Sequence, residues 1–433
     1  MKNNNISFSE CVALLESLVV TPVGYERVFL NRCVGRVLCE SILARENNPK
    51  FHTSNMDGYA FRFADLGILS ESGLKIASVN KAGNAESCAI QKGECIKTFT
   101  GAQMPQGADC LVIVENVCVK GDRMFLANNL NENTKITHPL APSAREGEQS
   151  ADSIKQWQHI RKMGENYQKG DILLSKGTIL SPFSIGILAQ NHNILLGTYR
   201  KIRVGILSGG DELIELGELP QRQNYIYSSN NHALCAIVES LGAQGKIYPL
   251  LQDSPQSIRE SLNCALHDND IVITTGGMSK GDFDFTKDII HEFGECVFSG
   301  VKIKPGKVVA HIKCDGEFRG KHIFALPGNP SSSIVSFLLF GRLIMQKMLN
   351  LSAQIPIKKG KLLCAVDNAK NDRLCFELAE LHLENGFYAV YPCQNRNSYM
   401  INDFNGAFCI LEQKIYEKGE FVDIILLDDL LKL

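Results

Sequence analysis

The chain has 433 residues, 44% of them hydrophobic, and a formal net charge of -2 at pH 7; that length exceeds what one hydrophobic core usually serves, so several domains are expected. No long basic or acidic block is present, which argues against a nucleic-acid arm or a polybasic membrane patch, and no apolar run approaches the ~18–20 residues of a membrane span. Small molecules or proteins are the expected partners.

Residues 7–21, SFSECVALLESLVVT, start with Ser7 or Ser9 as a cap for the apolar period of Val12, Leu14, Leu15 and Leu18, which predicts a short amphipathic helix. From about 45 to 140 the text breaks into short apolar runs, GECIKTF, DCLVIVENVCV and RMFLA, separated by glycine, asparagine and proline, and reads as a compact β-domain. Residues 143–200 mix a polar stretch, the turn pair QKGDILLSKGTIL and a helical SPFSIGILAQN opened by Ser181 and Pro182. After Arg200 strands and helices alternate: RVGIL, SNNHALCAIVESLG, KIYPLL, SPQSIRESLNCALHD, DIVITT, FDFTKDIIHEFG, VFSGVKI and HIFALPGNPSSSIVSFLLFGRLIMQKML. That pattern predicts one α/β domain with a mostly parallel sheet over 201–348. Beyond Lys358, GKLLCAV, CFELAEL, GFYAVYP, FCILEQ and FVDIILL predict a terminal β-domain. Fifteen cysteines lie scattered from Cys11 to Cys409 with no CxxC pair, and MKNNNISFSE lacks a signal-peptide apolar core. Reduced, packed thiols in a cytoplasmic protein are the expectation.

Ligands of open α/β sheets bind outside the carboxyl ends of the strands. Three loops at such ends share one character: SGGDEL at 208–213, GGMSKGDFD at 276–284 and PGNPSSS at 327–333. Their glycines and small polar residues let backbone N–H groups approach an anion. The same loops supply Asp211, Glu212, Asp282 and Asp284, with Asp253 after the neighbouring strand; hard carboxylates beside a phosphate cradle point to magnesium. Lys304 and Lys307 in KIKPGK lie at another strand end and suit an oxyanion as flexible point charges. Standing alone, Asp284 is equally a cap for FTKDIIHEF, PGNP an ordinary turn, and Asp57-Gly58 in NMDGYAF a hairpin turn. The conjunction of several such loops favours a site for a nucleotide-like substrate.

NMDGYA, TGAQMPQGAD, SGGDEL, TTGGMSKGDFDFTK, KIKPGK and LPGNPSS, in this order, resemble the molybdopterin molybdenumtransferases, the MoeA family that includes the E domain of gephyrin. The resemblance covers nearly the whole chain and is loosest in the terminal domain. It implies a multidomain subunit: a discontinuous, elongated helical and extended segment (1–44 and 143–200), an inserted small β-domain (45–142), a central molybdopterin-binding-like α/β domain (201–348) and a C-terminal β-barrel-like domain (349–433). It implies a homodimer whose cleft lies between the α/β domain of one subunit and the small β-domain of the other. It also implies a magnesium-dependent reaction that takes adenylylated molybdopterin and molybdate, releases AMP and gives molybdenum cofactor. An adenylyltransferase and apo-molybdoenzymes are the partners such a reaction suggests.

Carried over residue by residue, Asp57, Thr100, Glu212, Asp253 and Asp284 form the catalytic set, with Asp57 and Thr100 acting across the dimer interface. Glu212, Asp253 and Asp284 would hold magnesium. Ser208, Gly209, Gly276, Gly277 and Ser279 would cradle phosphate, Lys304 and Lys307 would hold anions, and Pro327 and Pro330 would shape the last loop. The chain departs from the family in places. IRKMGEN stands where RRxGED is usual, so Asn166 replaces an aspartate and leaves Glu165 as the carboxylate there; KPGKV replaces KPGKP, Lys280 adds a cation, and CFELAEL has acids where an arginine is common. Two other readings remain: a molybdopterin adenylyltransferase, which shares the α/β domain and its GGxS loop, and a non-catalytic pterin-binding scaffold.

Overall fold

A computed structural model of the chain describes residues 4–83, 88–127, 151–220, 223–252, 254–277, 286–384, 386–393 and 406–433. The chain forms two compact units, one of residues 1–39, 177–181 and 195–433, the other of 40–176 and 182–194.

In the first unit the alternating strands and helices build a seven-stranded sheet in the order Asn4–Ile6, Gly294–Val301, Ala310–Cys314, His322–Leu326, Ile271–Thr275, Arg203–Ser208, Gln244–Ile247. Ala310–Cys314 runs against the other six, so the sheet is mostly parallel, as expected. RVGILS and IVITT read as continuous apolar runs because helices cover both faces; every residue from Val204 to Ser208 and from Ile271 to Thr275 is buried. One face packs Ile206, Ile273 and Phe324 against Leu234 and Val238 of the helix Asn230–Ser240. The other packs Leu207, Val272 and Ile323 against Ile258, Leu262 and Leu266 of the helix Pro255–Asp268.

The helix starts follow their caps. Ser7 opens Phe8–Ser17 reciprocally: Glu10 N donates to Ser7 Oγ at 3.3 Å, and Ser7 N donates to Glu10 Oε2 at 2.8 Å. Ser254 opens Pro255–Asp268 by accepting from Ser257 N at 3.3 Å, with Pro255 in the first turn.

Past Lys358 the expected strands Ile357–Leu362, Leu374–Glu384, Phe387–Pro392, Gly406–Leu411 and Phe421–Leu426 close into a barrel-like ring. Leu374–Glu384 pairs with both Phe387–Pro392 and Gly406–Leu411, and Phe421–Leu426 links the latter to Ile357–Leu362. Its interior holds Cys375, Ala379, Val390, Cys409 and Ile424. The short strand Ile303–Lys304 of KIKPGK adds to this ring, parallel to the start of Leu374–Glu384 with Lys304 opposite Cys375.

The second unit contains a six-stranded sheet, ordered Cys110–Ile113, Gly58–Phe61, Glu94–Thr98, Leu74–Asn80, Arg123–Leu126, Val117–Lys120, around Phe61, Leu69, Ile96, Leu111 and Met124. SPFSIGILAQN forms the helix Pro182–Gln190 in this unit. Gly58 opens a buried strand instead of a hairpin tip: a Cβ there would lie 2.3 Å from the Val112 carbonyl oxygen of the adjacent strand. The turn suggested by Asp57-Gly58 alone is therefore displaced by a packing requirement for glycine.

All fifteen cysteines are free, and burial pushes the thiols of Cys95, Cys110, Cys314 and Cys409 up to about 12, as suits packed, unreactive side chains. Among the described residues no helix is long and apolar enough to cross a membrane.

His311 and His322 meet inside the α/β sheet, His311 Nε2 and His322 Nδ1 3.0 Å apart, with His311 stacked on Phe324. Burial, then the neighbouring His322 and Lys313, hold His311 well below its ordinary range; burial and Lys313 lower His322 to about 4. The unfolded chain thus binds protons the folded chain refuses, so stability present above the ordinary histidine value of 6.5 falls as pH drops towards about 4. His322→Gln is expected to flatten this acid limb in urea midpoints taken from neutral pH downward; an unchanged slope would contradict a buried neutral pair.

Candidate active site

Three loops leave the carboxyl ends of neighbouring strands and press on one another. Ser208 ends its strand with the hydroxyl buried, accepting from Thr275 Oγ1 at 2.9 Å, while Gly209 N donates to Thr275 O at 2.9 Å. Gly276 follows at φ +87°, and a Cβ on it would sit 2.4 Å from the Gly209 carbonyl oxygen. Because that obstacle is backbone, glycine is required here by space as well as by φ. Gly277, at φ +64°, would press a Cβ to 2.4 Å from Thr286 Oγ1. Gly328 of the third loop lies beside Gly276, with a Cβ position 3.6 Å from the Gly276 Cα, and its carbonyl accepts from Asn230 Nδ2 at 2.8 Å. Pro327 leads into that loop and Pro330 opens the helix Pro330–Ser336, where Asn329 Oδ1 accepts from Ser332 N at 3.2 Å. Three backbones thus meet at close range; Gly209 N and Gly276 N donate to the Thr275 and Leu326 carbonyls, so it is the rest of each loop that could turn N–H groups towards an anion.

Ser228 Oγ, Asn230 Oδ1, Asn231 Nδ2, Thr274 Oγ1 and Ser331 Oγ, in or next to these segments, are buried with no hydrogen-bond partner among the described residues. Buried polar groups are normally satisfied, so this region has spare capacity for a polar ligand. Asn230 escaped the sequence reading, which treated it as an ordinary helix start. The available signal was the run SSNN, four capping-type residues where a helix uses one.

Glu212 belongs to the same rim: its exposed carboxylate folds back so that Oε1 lies 2.7 Å from a Cβ position on Gly210. Asp253, Ser279 and Asp284, together with Lys280 and Asp282, lie outside the described residues. Among the described residues no three His, Cys, Asp or Glu side chains gather as a metal site; of the three expected magnesium ligands, Glu212 is the one placed.

Lys304 and Lys307 are exposed on either side of Pro305 and Gly306. A Cβ on Gly306 would meet Ser336 Oγ at 2.5 Å and Ser332 O at 3.4 Å, so this turn rests against the helix that PGNP begins. Lys304 Nζ donates to Asn371 Oδ1 at 3.0 Å.

Asp57 and Thr100 lie in the second unit. The antiparallel pairing of Gly58 with Thr98 brings them together. Asp57 Oδ1 accepts from Thr100 N at 2.8 Å and Thr100 Oγ1 at 2.6 Å. The Thr100 hydroxyl first, then its N–H, hold this exposed carboxyl below the ordinary carboxylate range, with Lys97 assisting. Asn166 is fixed in the same unit: its Nδ2 donates to Asn48 Oδ1 at 2.6 Å and its Oδ1 accepts from Arg161 Nη2 at 3.2 Å. An ionised carboxylate cannot make the first of these bonds, so the neighbours of Asn166 select an amide. Glu165 Oε2 accepts from Lys162 N at 2.8 Å.

The MoeA N-terminal region (domain I and II) matches residues 6–191, and a probable molybdopterin binding domain matches residues 205–347. The chain is 31% identical over 400 residues to a molybdopterin molybdenumtransferase of Haemophilus influenzae, covering 91% of each sequence. It is 28% identical over 408 residues to one of Staphylococcus aureus, covering 92% of this chain and 90% of the relative. A crystal structure of the molybdopterin biosynthesis moeA protein of Pyrococcus horikoshii aligns with a TM-score of 0.73 at 26% identity, over 98% of this chain and all of that one.

Gly276→Ala is expected to destabilise the protein by about 1–3 kcal/mol, because it forces the Gly209 turn away. Asn230→Ala should speed amide exchange at Gly328 and Asn329 specifically. A wild-type urea midpoint for Gly276→Ala would contradict the close approach.

Proposed function

This chain belongs to the molybdopterin molybdenumtransferase family, and from that premise we propose that it inserts molybdate into adenylylated molybdopterin, releasing AMP and giving molybdenum cofactor. The observation that carries the reading is the meeting of Gly209, Gly276 and Gly328 at one sheet rim, with Glu212 over the first loop.

Cleaving a phosphoric anhydride needs stabilisation of spread negative charge more than a strong nucleophile. In the proposed arrangement the backbone at Ser208, Gly209, Gly276 and Gly277, with Ser279, holds the phosphates. Lys304 and Lys307 counter the anions, and Pro327 and Pro330 fix the loop that closes beside them. Glu212 offers a hard oxygen donor at the rim, which fits magnesium, and Asp253 and Asp284 would complete its protein ligands. Magnesium, when bound, would neutralise phosphate charge on the leaving AMP. The proposed assembly is a homodimer in which the Asp57–Thr100 pair of a second copy faces this rim. Thr100 keeps that carboxylate ionised and oriented, so it enters as an acceptor and not as an acid. Further proposed partners are the adenylyltransferase that supplies the substrate and the apo-molybdoenzymes that receive the product.

Purified protein supplied with adenylylated molybdopterin, molybdate and magnesium is expected to release AMP and yield cofactor that activates an apo-molybdoenzyme. Substrate binding without AMP release would instead support a scaffold, and consumption of ATP with free molybdopterin would support an adenylyltransferase. Glu212→Gln and Asp57→Asn are each expected to lower turnover by about 10²-fold or more. Mixing the two variants should restore activity through dimers that pair an intact Glu212 with an intact Asp57. Failure of the mixture to recover activity, once subunit exchange is verified, would overturn the shared site.

A further inference from the structure

Glu377 is a carboxyl near Lys304 that has no part in the chemistry proposed above. It lies on Leu374–Glu384 two residues beyond Cys375, the residue opposite Lys304 in the parallel pairing. Side chains alternate along a strand, so Glu377 lies on the same face as the buried Cys375 and Ala379, and the exposed Lys304 is the register partner of Cys375 on the adjoining strand. Strand spacing places the Lys304 and Glu377 Cα atoms about 8 Å apart, within reach of a lysine side chain.

The surroundings leave this carboxyl unusually dependent on one cation. Glu377 is only partly exposed, and neither a hydrogen bond nor a direct ion pair engages its carboxyl among the described residues. Burial pushes it above the ordinary carboxylate range and Lys304 pulls the other way. The groups packed on other sides do not compensate. Cys409 stands directly across on Gly406–Leu411, with Cys364 beyond it, and both Cys375 and Cys409 are held up as thiols by burial. Arg373, at the start of the strand, spends its Nη1 on the Ile303 carbonyl at 3.3 Å. Lys304 is also held in place: its Nζ donates to Asn371 Oδ1 at 3.0 Å, Asn371 Nδ2 to Asn368 Oδ1, and Asn368 Nδ2 to the Glu412 carbonyl at 2.8 Å. This relay ties the ammonium to the barrel wall.

An anion arriving at Lys304 therefore takes over the one cation among the described residues that supports an ionised Glu377, and adds a like charge beside it. Both effects favour the neutral carboxyl. We infer that Glu377 is the positioning residue that couples oxyanion binding at Lys304 to proton uptake: as molybdate binds, the carboxylate oxygen of Glu377 accepts one proton from solvent, and while Glu377 stays ionised it neutralises Lys304 and weakens the site. The inference rests on the reading of Lys304 as an anion-holding residue. Since binding takes up a proton, affinity rises as pH falls and is lost as pH rises, by up to about tenfold per pH unit for one fully linked proton.

The test is calorimetric titration of the full-length protein with sodium molybdate, from slightly acid to mildly alkaline pH, in buffers of differing ionisation heat. Wild type is expected to show proton uptake on binding and an affinity that weakens with pH. Glu377→Gln should bind more tightly at the alkaline end with a flat profile and no proton uptake, and Glu377→Asp should keep the pH dependence, which a purely structural role for the side chain would not predict. If Lys304→Met abolishes binding while Glu377→Gln keeps the wild-type profile, the coupling is wrong and the role of Lys304 stands. If Lys304→Met binds molybdate as wild type does, the anion-holding role of Lys304 fails, and the coupling with it.

Discussion

Gly276 passes so close to the Gly209 carbonyl oxygen that a Cβ would come within 2.4 Å, and this contact between two backbones sets the form of the whole rim. It is possible because two parallel strands, Arg203–Ser208 and Ile271–Thr275, end in register with Ser208 beside Thr275. Burial of both strands on both faces fixes that register. Packing deep in the sheet therefore decides where the loop N–H groups lie. Gly328 joins the pair through the next strand in register and is secured by Asn230, which reaches over from the helix Asn230–Ser240.

Two carboxyls of this chain, Asp57 in the second unit and Glu377 in the first, are set in different ways. Asp57 is exposed but kept ionised, because Thr100 supplies two donors to one oxygen. Glu377 is partly buried, and among the described residues Lys304 alone opposes the effect of its burial. The same residue chemistry is thus set to opposite ends of its range by hydrogen bonding in one place and desolvation in the other. Such divergence is a mark of sites that handle protons and anions, although structural ion pairs shift carboxylates as well; Asp268 beside Lys246 is an exposed example in this chain.

Much of this was legible in the sequence, and the reasons are local. The capping residues Ser7 and Ser254, the Pro-opened helix at Pro182 and the apolar runs from Val204 and Ile271 each carry their own signal, and each element formed where that signal placed it. The glycine loops were readable as loops at strand ends because each of the three follows an apolar run. What could not be read was contact between segments distant in the chain. Nothing near Gly58 announces Val112, so a dipeptide typical of turns became the start of a buried strand. Nothing near Asn230 announces Gly328, and nothing in CFELAEL announces that its Cys375 pairs opposite Lys304. Asn166 reads as a lost charge in the sequence, whereas Asn48 and Arg161 use both ends of its amide.

The central claim is that the three loops that meet at Gly209, Gly276 and Gly328 together bind the phosphates of the substrate. Diffraction from crystals soaked with AMP and molybdate, recorded at the molybdenum absorption edge, tests it most directly. The account predicts phosphate density within hydrogen-bonding distance of those loops and an anomalous molybdenum peak on the Lys304 side of the same rim. Ordered AMP bound elsewhere on the chain, with the three loops free of density, would contradict it.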